Sequence, residues 1–121
     1  MHFQLEITQG KLVRVTVGEV LDVTVDIRCS SPHLSRWEAV RLSTENHRQL
    51  RVLRRLHTQI RGSERLCGAL YKTTDYYTPS AERCIRWNDP TLAIDWQLGE
   101  KPQLSAKDQA GKTLQEAELF P

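Results

Sequence analysis

The chain has 121 residues, of which 39% are apolar and 26% charged, enough for one domain (1–121) with a modest core. Its 17 Lys and Arg against 15 Asp and Glu leave a formal charge of +2, which argues against nucleic acid as the main partner. The opening MHFQLEITQGKLVRV lacks the basic region and apolar run of a signal peptide, and no segment approaches membrane-spanning length, so a cytoplasmic location with no membrane partner is expected.

In chain order, residues 12–28 alternate as a β-hairpin. Val13, Val15 and Val17, then Leu21, Val23, Val25 and Ile27, are expected on one face, and Arg14, Thr16, Asp22, Thr24, Asp26 and Arg28 on the other. Gly18 supplies the freedom for the turn between the two strands. Ser30-Ser31-Pro32 ends the second strand. Residues 37–42 form another short strand, and 43–46 a polar turn. Closely spaced strands with turn signals between them predict an all-β sandwich or barrel.

Residues 51–69 differ in character. Arg48, Arg51, Arg54, Arg55, Arg61 and Arg65 crowd together, while Leu50, Leu53, Leu56 and Ile60 recur nearer to helical than to strand spacing. By itself this is a basic amphipathic segment: a solvated helix or loop, or a contact for RNA or an anionic surface. The stretch 70–96 is the densest in site-like chemistry. It holds all three tyrosines, Tyr71, Tyr76 and Tyr77, and places Tyr76-Tyr77 in the core or a cleft wall. Residues 99–107 form a loop, and 113–119 a short C-terminal helix.

The three cysteines, Cys29, Cys67 and Cys84, are widely separated and make no CxxC pair, which suits small, partly buried thiols in a reducing compartment. His2, His33, His47 and His57 show no clustered spacing, so no metal is expected.

YKTTDYYTP, IRWNDP, LAIDW and LSAKD, in that order, with LVRVTVGEVLDVTVDIR and RLSTENHRQL before them, resemble the dTDP-4-dehydrorhamnose 3,5-epimerase family. The resemblance implies a cupin-type jelly roll, no cofactor and a homodimer. Its activity is inversion of C3 and C5 in dTDP-4-keto-6-deoxyglucose during dTDP-L-rhamnose synthesis, a route that serves outer polysaccharides such as lipopolysaccharide. It places the base at His2 of MHFQ, its aspartate at Asp108 and the opposing acid at Tyr71. Gln4 follows the base in the same motif. Lys11, Glu82 and Lys107 would contact the substrate, with Tyr77 stacking on thymine. Inversion requires proton acceptor and donor on opposite faces of an acidic carbon, with the developing enolate stabilised.

Two departures from the family follow. Between RQL and LYKTTDYY the family carries a segment close to WIPPGFAHGFLVLSE. The equal length with different residues here is what paired frameshifts would produce, and a flipped-out or misfolded segment is expected. The family's substrate-binding histidine in that segment falls on Thr58, with His57 one position away. The family also has a further segment before its LHxQ, so the chain is read as N-terminally truncated, an incomplete jelly roll. The alternative function is a catalytically inactive remnant.

Overall fold

The computed structural model describes residues 1–63 and 65–121. Among them the strands are β1 (His2–Gln4), β2 (Lys11–Val17), β3 (Glu19–Asp26), β4 (Trp37–Ser43), β5 (Gln49–Val52), β6 (Leu56–Gly62), β7 (Gly68–Thr73) and β8 (Glu82–Cys84), followed by the one-turn helix α1 (Ala106–Gln109). The strands form three antiparallel sheets, ordered β5-β2-β7, β4-β3-β6 and β1-β8. The result is an all-β sandwich, and its chain repeatedly changes sheet.

β2 and β3 form where the alternation predicts, but they do not make a hairpin. β2 pairs with β5 and β7, while β3 pairs with β4 and β6. Gly18, at φ 70°, turns the corner between the sheets, a backbone conformation that a side chain would oppose. The face assignments change for the same reason. β3 is covered on both sides, so Asp22 and Asp26, expected outward, are buried, while Val17 at the sheet corner is 45% exposed.

On one face of β3, Leu21, Val23, Val25 and Ile27 pack with Met1, Phe3, Ile85, Leu92, Trp96, Leu114 and Phe120. Val20, on the opposite face, meets Val13, Val15 and Leu42. At the end of β3, Asp26 takes a bidentate contact from Arg28 (Nε 2.9 Å, Nη2 2.6 Å) and another from the Ser31 hydroxyl at 2.6 Å. Arg28 above all holds the Asp26 carboxyl well below the usual carboxylate range.

The arginine-rich segment is neither helical nor flipped out. Its described residues complete β5, turn at 53–55 and supply β6 and the start of β7, with Leu56–Gly62 in register along β3. The charges stay at the surface: Arg51 on β5, Arg54 and Arg55 in the turn, and Arg65 between β6 and β7 are all exposed. Arg54 pairs with Asp75 at 2.8 Å, and Arg61 donates to the Trp96 carbonyl at 3.0 Å.

The tail also departs from expectation. Residues 113–119 form turns, with Glu116 accepting from the Thr113 hydroxyl and amide, and Phe120 returns to bridge Arg28. The helix lies earlier, at Ala106–Gln109, where the hydroxyl of the N-cap Ser105 accepts from the Asp108 amide and donates to the Asp108 carboxylate in return. Gly111 lets the chain after this helix close against Ile85-Arg86, just beyond β8. A Cβ there would lie 2.8 Å from the Arg86 nitrogen and 2.9 Å from its Cα.

Candidate active site

The two-stranded ribbon aims four polar groups one way. His2 stands opposite Cys84 and Gln4 opposite Glu82, so all four side chains share a face, while Phe3 points into the core against Phe120 and His57. α1 brings Asp108 and Lys107 to that face. His2 Nε2 lies 2.9 Å from Asp108 Oδ1, and Nδ1 is 3.4 Å from Glu82 Oε1. The second contact lacks hydrogen-bond alignment, so Nδ1 is a buried ring nitrogen without a hydrogen bond among the described residues.

Each carboxylate is itself anchored. Asp108 Oδ2 accepts from the Ser105 hydroxyl at 2.7 Å, and Oδ1 also accepts from the main-chain nitrogen of Met1 at 3.3 Å. Glu82 accepts from Tyr77 OH at 2.8 Å and Lys107 Nζ at 2.7 Å, and Lys107 also reaches Tyr77 OH at 3.0 Å. Gln4 takes the Thr78 amide at 2.8 Å and donates to the Ile7 carbonyl at 3.1 Å, which ties β1 to the loop carrying Tyr77.

The charge states follow from these contacts. The Cys84 sulfur at 3.8 Å, with Asp108, raises the His2 pKa against the opposing effect of burial. Burial pushes Glu82 up, but Lys107 and Tyr77 outweigh it, and its pKa falls. Asp108 is likewise lowered, with Ser105, the Met1 nitrogen and His2 outweighing burial.

His2, Gln4, Lys11, Tyr77 and Glu82 line a cavity of about 120 Å³ together with Phe3, Thr8, Gln9, Arg55, Leu56 and Phe120. Five of the eight residues predicted for the site thus share one cavity, and Asp108 and Lys107 stand directly behind it. Tyr71 lies apart from that lining, on β7 opposite Val13 of β2, two residues along from Lys11 on the same face. The residue is 40% exposed, yet burial of its phenol and the charge of Asp22 push its pKa up. Of the adjacent tyrosines, Tyr77 is cleft wall, whereas Tyr76 is 93% exposed and belongs to neither core nor cleft.

Asp22 and Cys84 escaped the sequence reading. Alternation along β3 assigns Asp22 to the solvent side, and only the second sheet makes that side an interior. There it takes a short hydrogen bond from the Thr58 hydroxyl, opposite Lys11. Thr58 therefore occupies the interior position, and His57, one residue earlier, faces the other way. His57 is buried against Phe3 with neither ring nitrogen hydrogen-bonded among the described residues, and burial holds its pKa well below the usual histidine value.

Burial raises the Asp22 pKa to about 6, against the pull of Thr58 and Lys11. Because the folded value exceeds the unfolded 3.8, its contribution to stability is complete below pH 3.8 and is lost as pH rises through about 6. Asp22→Asn is therefore expected to stabilise the fold by about 1–2 kcal/mol at pH 8, with much less gain at pH 4. Urea denaturation at the two pH values measures this, and an equal change at both would show that Asp22 is not the titrating group.

The jelly-roll sandwich thus sets a histidine-carboxylate pair beside a cavity lined by a lysine and a tyrosine, an arrangement able to move protons. A family model described as dTDP-4-dehydrorhamnose 3,5-epimerase matches residues 1–116. The enzyme of that description from Pseudomonas aeruginosa is 47% identical over 121 residues, covering 100% of this chain and 67% of its own length. That from Salmonella typhimurium is 49% identical, covering 98% of this chain and 66% of its own. A solved dTDP-6-deoxy-D-glucose-3,5-epimerase from Legionella pneumophila, in complex with dTDP-4-keto-L-rhamnose, superposes with a TM-score of 0.92 at 48% identity, covering 95% of this chain and 61% of that one. The chain belongs to the dTDP-4-dehydrorhamnose 3,5-epimerase family, and it spans about two thirds of the length of these relatives.

Proposed function

We propose that the protein is a dTDP-4-dehydrorhamnose 3,5-epimerase, inverting C3 and C5 of dTDP-4-keto-6-deoxyglucose on the route to dTDP-L-rhamnose and so to surface polysaccharide such as lipopolysaccharide. The observation that carries this reading is the His2-Asp108 pair at 2.9 Å on the rim of the Lys11-lined cavity, in a chain so similar to enzymes of that description. An intact pair favours it over a catalytically inactive remnant.

Asp108 holds the ring through Nε2 and orients it, and the half-buried His2 imidazole serves as the base. The imidazole takes the proton from the carbon beside the 4-keto group, and the electron pair moves onto the carbonyl oxygen. Asp108 and Glu82 then face the imidazolium. Lys11 stabilises the enolate oxygen, Tyr71 returns a proton to the opposite face of the carbon, and the imidazolium gives its proton to water as Tyr71 regains one from water, which resets both groups. The same sequence at the other carbon completes the inversion without a cofactor. Gln4, Glu82 and Lys107 hold the substrate, and Tyr77 offers its half-exposed ring to thymine.

The cytoplasm, where nucleotide sugars are made, is the expected compartment, and no helix among the described residues is long and apolar enough to cross a membrane. We take residues 1–121 as one domain that pairs as a homodimer.

The test is deuterium incorporation at C3 and C5 of dTDP-4-keto-6-deoxyglucose in D₂O, followed by NMR with the purified chain. Incorporation at both carbons is expected. A folded chain that catalyses none would sink the assignment and favour the remnant.

A further inference from the structure

Behind the cavity, His2 Nε2, Cys84 Sγ and Asp108 Oδ1 converge, all within 4.8 Å of one another and each from a partly buried residue. We infer that these three atoms form a binding site for a thiophilic divalent cation such as Zn²⁺. This goes beyond the epimerase reading, in which Cys84 has no part and no metal is used.

The separations fit the ion. With Zn–S near 2.3 Å and Zn–N and Zn–O near 2.0–2.2 Å, a tetrahedral centre needs N···O of about 3.3 Å and S···N of about 3.6 Å. The site shows 2.9 Å between His2 Nε2 and Asp108 Oδ1 and 3.8 Å between Cys84 Sγ and His2 Nε2. These two separations need a few tenths of an ångström, and the Cys84 Sγ–Asp108 Oδ1 separation, at up to 4.8 Å, must close by up to about 1 Å through side-chain rotation. The sulfur also lies 3.4 Å from the Met1 main-chain nitrogen and 3.6 Å from the Ile85 carbonyl oxygen.

A second observation points the same way. Zinc-bound histidines commonly give their other ring N–H to a carboxylate. Here the Glu82 carboxylate stands 3.4 Å from His2 Nδ1, held from behind by Tyr77 and Lys107. Three donors from two strands and a helix, with an outer carboxylate already in place, are more organised than a chance cluster of surface acids. The search for clustered histidines in the sequence passes over this set because its donors are three different residue types, up to 106 positions apart.

Binding would replace the proton on Nε2, release the Cys84 thiol proton to solvent and place the remaining imidazole proton on Nδ1, toward Glu82. If His2 is the catalytic base, zinc therefore inhibits by removing its lone pair. That consequence rests on the proposed function; the binding does not.

Co²⁺ is the probe, because a thiolate-bound cobalt shows a sulfur-to-metal charge-transfer band whether or not the protein turns over substrate. One equivalent should give the band, and Zn²⁺ should bleach it. Cys84→Ser should abolish it, the Cys29→Ser/Cys67→Ser pair should leave it, and Glu82→Gln should weaken affinity by about 10–100-fold. In the unaltered protein, stoichiometric Zn²⁺ should protect Cys84 selectively from iodoacetamide, read by peptide mass spectrometry. No band from a folded chain, a band that survives Cys84→Ser, or alkylation of Cys84 undiminished by Zn²⁺ would overturn the site. Zinc binding without loss of deuterium incorporation would retain the site and count against His2 as the base.

Discussion

His2→Ala is expected to lower deuterium incorporation at C3 and C5 by about 10²–10⁴-fold, the ordinary contribution of a positioned general base. The effect should fall on kcat more than on KM. The proton moves only in the transition state, whereas Gln4, Lys11, Glu82 and Lys107 remain to hold the substrate. The pH profile supplies the second readout. The base must be neutral, and its pKa is raised above the ordinary histidine value, by the Cys84 sulfur first and with help from Asp108. The rate should therefore fall with acid from a point above pH 6.5, and this limb should vanish in His2→Ala. Asp108→Asn should move the limb downward, since the amide removes the negative charge beside Nε2. Retention of wild-type exchange and an unchanged limb in folded His2→Ala would assign the base elsewhere in the cavity.

Why some of this was readable in the sequence, and some was not, follows from the range of the forces involved. Strand alternation is local, so β2, β3 and β4 are marked in the side-chain pattern itself. Which strands pair is a non-local matter, and the hairpin expected across Gly18 proved to be a corner between sheets. Asp22 shows the same limit, since its burial depends on residues from β2 and β6. The arginines misled by their number. Leucine spacing across two strands and a turn imitates a helix, and only register along β3 shows that Leu56–Gly62 alternates between faces. Family motifs carried the site further than physics did. His2, Gln4 and Glu82 lie 80 residues apart at the extremes and meet only because β1 pairs with β8. The Ser105 cap on Asp108 was the one local signal there: S-A-K-D is a capping sequence that could have been read as a helix start.

The largest stability effect is expected at Asp89, which binds no part of the proposed site. It is 2% exposed, and its carboxylate joins two distant segments. Oδ1 accepts from the Thr91 amide at 2.9 Å and the Leu92 amide at 3.0 Å, while Oδ2 accepts from the Leu114 amide at 2.8 Å. Pro90 between them has no amide to offer, so the loop's first available donors are the ones Asp89 takes. Leu92 and Leu114 are both core residues, and their amides have been withdrawn from water along with their side chains. Asp89→Ala leaves three donors without this acceptor, each at about 1–3 kcal/mol when buried. A total near 3–5 kcal/mol is expected, because Thr91 is exposed and water can serve its amide. At about 4 °C per kcal/mol, Tm should fall by roughly 12–20 °C, measured by thermal unfolding and checked by urea denaturation. Asp89→Asn keeps one carbonyl oxygen but can turn an amide nitrogen toward either the loop or Leu114, so it should lose about half as much. A loss below about 1 kcal/mol for the alanine variant would mean that the tail carrying Leu114 is held by its apolar contacts alone. In that case the return of Phe120 to Arg28, and the seating of α1 behind His2, would depend on packing and not on this carboxylate.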